Sequence, residues 1–145
     1  MEHRELSNLY FDLSKEILKS IAFDKSSKDN QNQLLFIACI ESSLDNYANH
    51  IFEIFKNEID SISDLNFRSK WNRLKEIIAI RHIIESEFAD EGLISSLNDA
   101  KERVTCVPDL NLITSNKSND LKKFSLILNK YKSFKELLRK ILDEC

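Results

Sequence analysis

A single glycine, Gly92, and a single proline, Pro108, constrain this 145-residue chain more than any other feature. Average usage would supply about ten glycines and seven prolines. Sandwiches, barrels and hairpin-rich folds need both residues at their turns, so those architectures are excluded. A glycine-rich phosphate loop or dinucleotide fingerprint cannot be written with one glycine. The apolar fraction of 42% is ordinary for a globular chain and argues against wholesale disorder. An all-α single domain over 1–145 is the expectation.

Apolar residues at steps of three and four predict where its helices lie. Leu6, Leu9, Tyr10, Leu13, Ile17 and Ile21 mark a first helix over 3–22, and a polar stretch at 24–30 ends it, with Ser27, Asp29 or Asn30 as caps. A second helix, 30–60, carries Leu34, Ile37, Ala38, Leu44, Ala48, Ile51 and Phe55 on one stripe, widened by Leu35, Ile40, Tyr47, Phe52 and Ile54. Trp71, Leu74, Ile77, Ile78, Arg81, Ile84 and Phe88 predict a third over 67–90, ended by a left-handed Gly92. A shorter helix, 93–105, is stopped by Pro108, and a polar loop follows at 114–119. The last helix, 119–143, is read as continuous despite a capping-box spacing at Ser133 and Glu136. The expectation is an antiparallel helical bundle of four long helices plus one short helix.

Charge is uneven along this plan. Residues 1–60 hold 6 basic and 11 acidic groups, net −5, whereas 117–140 hold eight basic and two acidic, net +6. The basic segment, with Lys122, Lys123 and Lys130, can attract phosphates or an acidic partner, or simply solvate the outer face of a helix. Its aromatics, Phe124, Tyr131 and Phe134, stand at core spacing and read as packing. The three cysteines, Cys39, Cys106 and Cys145, are odd in number and widely spaced, so neither a disulfide framework nor a zinc site is expected. The longest apolar run, 34–40, is too short to cross a bilayer, and the charged start lacks a signal peptide's apolar stretch. The reading is a soluble cytoplasmic protein with no membrane partner.

Chemistry is sparse. His3, His50 and His82 have no second ligand at metal spacing, so no metal and no cofactor are expected. No nucleophile elbow can be formed, and no catalytic residue is assigned. Glu41 and Asp45 share a helical face at i, i+4 and read as hydrogen-bonded rim positions more readily than as a dyad. Arg81 interrupts the third helix's apolar stripe; a buried guanidinium needs a partner, and an acid of the second helix would serve.

Three segments resemble the HEPN superfamily, helical domains named for higher-eukaryote and prokaryote nucleotide binding. They are Ile40-Glu41-Ser42-Ser43-Leu44-Asp45-Asn46-Tyr47-Ala48, Phe67-Arg68-Ser69-Lys70-Trp71, and the stretch from Gly92 to Pro108 that contains Arg103. The resemblance covers about 30–140 and rests on the order and spacing of short motifs. In active members it implies metal-independent RNA cleavage by an Arg and a His, separated by four to six residues and paired across two protomers. Arg103 matches the arginine, but Pro108, Asp109 and Leu110 stand at the three histidine positions. The resemblance therefore implies a non-cleaving member that binds a protein or RNA, as a homodimer or with a cognate effector, in a bacterial defence or toxin–antitoxin system.

Two other functions fit the sequence. A small immunity protein or antitoxin could present its acidic N-terminal half to a basic toxin. An active ribonuclease with a non-standard site is the other. Candidate binding residues are Arg103, Glu41, Asp45, Arg81, Lys122, Lys123 and Lys130.

Overall fold

The computed structural model describes residues 1–105 and 117–144, with side chains described over 120–143 in the second stretch. The expected Pro108 stop, the loop residues 114–116, Cys106 and Cys145 lie outside these. The described residues are helical and contain no strand: α1 His3–Ser20, α2 Ser27–Phe55, α3 Phe67–Leu74, a 3-10 turn Ile78–Ile80, α4 Arg81–Phe88, α5 Leu93–Thr105 and α6 Lys117–Glu144. None of these helices is long and apolar enough to cross a membrane.

The all-α expectation holds, and α6 is continuous. The count of four long helices does not. The single helix expected over 67–90 breaks after Leu74, and Ile77 takes an extended conformation before the 3-10 turn. The break coincides with Ile77, Ile78 and Ile80, β-branched residues that lose side-chain freedom in a helix. It resets the helical phase: Ile77, Ile80 and Ile84 enter the core while Ile78 is 79% exposed.

The direction of the helices also departs from an all-antiparallel bundle. Ser7 of α1 meets Ser43 of α2, and His3 lies near Asn46, so these two helices are antiparallel. Going up α2 through Phe36, Ser43 and Tyr47, the α6 partners are Phe124, Tyr131 and Lys135. Both series ascend, so α2 and α6 run parallel. The intervening elements, α3 to α5, carry the chain back to the starting end.

Large aromatic side chains bridge α6 to the rest. Phe124 packs on Phe23 and Phe36, Tyr131 on Phe11, and Phe134 edge-on against Trp71 at 5.0 Å. Trp71 is buried, and its indole Nε1 donates to the Leu44 carbonyl at 3.1 Å.

α1 is rotated from its expected face. Ser7 and Ser14 are buried, while Leu9 and Leu13 are 44% and 42% exposed. Small serines let α1 approach α2 closely, and their hydroxyls find partners there. Ser7 Oγ donates to the Ser43 carbonyl at 2.9 Å, and Ser43 Oγ donates to the Ser7 carbonyl at 2.6 Å. The fully buried Tyr131 hydroxyl joins them, 2.7 Å from Ser43 Oγ. A hydrogen-bonded seam thus sits where apolar periodicity alone predicts leucines.

The α1–α2 connection is held by Asp29. Phe23 and Lys25 both adopt positive φ, at 54° and 65°. The buried Asp29 carboxylate accepts from the Phe23 amide at 2.8 Å, the Lys25 amide at 3.1 Å and Gln33 Nε2 at 3.1 Å. Ser26, rather than a residue at 27–30, caps α2 by accepting from the Asp29 amide. Asp29→Ala should cost about 2 kcal/mol, since it releases charge-assisted bonds that hold two strained residues. Urea denaturation of the variant against the native chain measures it.

Candidate functional site on the polar face of α2, α3 and α5

Residues of the segments 40–48, 67–71 and 92–105 meet. Asp45, in the middle of α2, pairs with Lys70 of α3 at 2.9 Å; the lysine side chain is almost wholly buried. Glu41, one turn earlier, pairs with Lys101 of α5 at 3.3 Å. Arg68 of α3 donates to Asn98 Oδ1 of α5 at 2.9 Å, and Asn98 Nδ2 donates to Glu102 at 3.3 Å. Glu41 and Asp45 occupy one helical edge, so each acid takes the lysine of a different neighbour. Asn66 caps α3 by accepting from the Ser69 amide at 2.9 Å, which fixes the turn presenting Arg68 and Lys70.

Arg81 does not join them. The expected pairing with an acid of α2 is overturned: Arg81 is exposed, and its Nε donates to the Lys75 carbonyl at 2.8 Å. The break after Leu74 moves residue 81 off the apolar stripe, and its guanidinium caps the end of α3 instead. Arg103 is also exposed and turns back to the Asp99 carbonyl at 3.3 Å. His82 is exposed beside Glu85, while His50 is stacked on Tyr47.

The lysines of α6 separate by environment. Lys122 and Lys123 are exposed. Lys130 bonds to the Glu91 carbonyl and to Ser96 Oγ, 3.0 Å away, on the rim of an open cleft of about 330 Å³ lined also by Glu87, Gly92 and Asn129. Burial pushes the Glu87 carboxyl up in pKa, against the lowering effects of the Leu93 amide it accepts from and of nearby Lys130. Lys130 therefore ties α6 to the α4–α5 junction.

A second polar group lies across the bundle, where α1, α2 and α6 converge. Lys135 points inward: its Nζ is 4.9–5.2 Å from the ring centroids of Tyr131, Phe11 and Tyr47, and donates to Asn8 Oδ1 at 3.2 Å. Burial, with Lys15 and Arg4 nearby, lowers its pKa to about 8 despite the opposing Asp12. Tyr47, stacked with His50 at 5.9 Å, is pushed up to about 12 by burial, against Arg4 and Arg139. His50 is lowered by burial and by Arg4, against Glu2. This group does not stand out in the sequence because its members are scattered over more than 130 positions. The legible signals were Arg4 and Asn8 one turn apart, Tyr47 and His50 at i, i+3, and Lys135 one turn after the core Tyr131.

Lys135 gives a stability prediction with a definite sign. Its folded pKa lies below the unfolded 10.5, so the unfolded chain binds more protons between about pH 8 and 10. Stability contributed by this group should rise with pH across that window. Tyr47 acts oppositely, but only above its unfolded pKa of 10. The difference in unfolding free energy between the native chain and Lys135→Met, followed from pH 7.5 to 9.5, should therefore shift toward the native chain. A flat difference would contradict the assignment.

Comparisons of the chain with protein-family models, with curated proteins and with solved structures find no match.

Proposed function

We propose that this chain is a non-catalytic, HEPN-like binding protein that engages a protein or RNA partner. The observation that carries this reading is the convergence of the three resembling segments on one polar face, through Glu41–Lys101, Asp45–Lys70 and Arg68–Asn98. Segments far apart in sequence that share a family-like order also share a surface. Arg103 supports the non-cleaving half of the proposal, because it bonds to its own helix while His50 and His82 have their contacts on α2 and α4. A defence or toxin–antitoxin setting, with a second copy or a cognate effector as partner, belongs to the same proposal and rests on the resemblance.

The test is incubation of the purified chain with structured RNA in a chelator. Intact RNA is expected. Metal-independent cleavage that Arg103→Ala abolishes would overturn the proposal and favour a ribonuclease with a non-standard site. A missing acid–base group typically reduces rate by about 10²–10⁴-fold, so the assay must be sensitive to that level.

A further inference from the structure

Lys135 is a half-buried ammonium held by rings and one amide oxygen. Among the described residues it forms no ion pair, and neither does Arg4. The other charged groups around it are already engaged. Asp12 pairs with Lys15 at 3.1 Å, and Arg139 pairs with Glu136 at 2.7 Å and, more loosely, with Asp143. Glu2 and Glu5 close the capping box of α1. Lys135 is thus half-buried without a direct ion pair, a costly state for a charge, and the exposed Arg4 stands near it, also without one; Asp12 and Glu2 act on this end from beyond ion-pair distance.

Helical spacing places these groups together. Arg4 precedes Asn8, the Lys135 acceptor, by one turn of α1. His3 lies at the same end, 3.5 Å from Asn46, and His50 stacks on the Tyr47 ring that Lys135 overlies. An ammonium, a guanidinium and two imidazoles offer donors of different shape at this end of the bundle. Phosphate, with several oxygens and up to two charges, matches such a set.

We propose that the α1–α2–α6 end is a phosphate-binding site in which Lys135 and Arg4 are the principal cations, with His3 and His50 at its edge. The ligand class is a phosphate group, either a monoester as in a nucleotide or a diester as in an RNA backbone. The inference stands independently of whether the chain cleaves RNA, since it uses neither Arg103 nor the polar face of α2, α3 and α5.

Thermal unfolding of the full chain tests it, with inorganic phosphate, uridine monophosphate and a short single-stranded RNA as probes and sodium chloride at equal ionic strength as control. At ten times its Kd, a phosphate probe should raise Tm by about 4 °C, and chloride should not. Lys135→Met should melt above the native chain in phosphate-free buffer, because it removes an unpaired buried charge, and should lose the phosphate shift. Arg4→Gln, at an exposed position, should keep the native Tm and weaken binding about tenfold, so the test survives if Lys135→Met fails to fold. A shift with phosphate and the nucleotide identifies a monoester site; a shift confined to RNA, falling with salt, identifies a backbone site. Absence of any shift in the native chain, or an undiminished shift in Arg4→Gln, would overturn the proposal.

Discussion

Replacing Gly92 by alanine should destabilise the domain by about 3 kcal/mol, a large part of the 5–15 kcal/mol that holds such a domain together. A Cβ at this position would lie 2.4 Å from the Glu87 carbonyl oxygen and 2.6 Å from that of Ser86. Both obstacles are backbone, so no side-chain rotation relieves them. Gly92 also immediately precedes α5: its carbonyl accepts from the Ser96 amide at 3.0 Å, and its own amide donates to the Ala89 carbonyl at 2.9 Å. The expected left-handed conformation is instead taken by Glu91, with φ of 66°. The glycine is needed for close approach, not for its φ. A companion variant separates the two roles. Glu91→Gly should stabilise by about 0.5 kcal/mol, because relief of left-handed strain exceeds the added entropy of the unfolded chain. Urea unfolding of both variants checks the pair of opposite signs.

Trp71→Ala should cost about 3–5 kcal/mol and leave little folded protein at 37 °C. The indole is 1% exposed, packs on Tyr47 of α2 and Phe134 of α6, and bonds to the Leu44 carbonyl. Its removal detaches α3 from both long helices. Trp71→Phe keeps most of the apolar contact and loses the indole hydrogen bond, so about 1–2 kcal/mol is expected. Equal losses for the two variants would show that the hydrogen bond, rather than the ring's volume, organises this junction.

Helix existence was legible wherever apolar spacing was long and unbroken, as in α2 and α6. It failed where another force outweighed it. α1 buries Ser7 and Ser14 because close approach and reciprocal hydroxyl bonds fix its rotation, leaving Leu9 and Leu13 outside. The α3–α4 break follows from a local isoleucine run that window periodicity averages over. Glu41 and Asp45 were legible as hydrogen-bonded rim acids; their lysine partners were not, because pairing across helices depends on packing. Of the basic positions on α6, only the structure distinguishes the inward Lys135 from the exposed Lys122 and Lys123.

The physical core of this account is a half-buried amine without a carboxylate of its own. Its most direct test is NMR titration of the Lys135 side chain, assigned by Lys135→Met, in phosphate-free buffer. A pKa near 8 is the result the account requires. A value near 10.5, the ordinary lysine value, would mean the amine is fully hydrated or already paired, and the phosphate site would lose its basis.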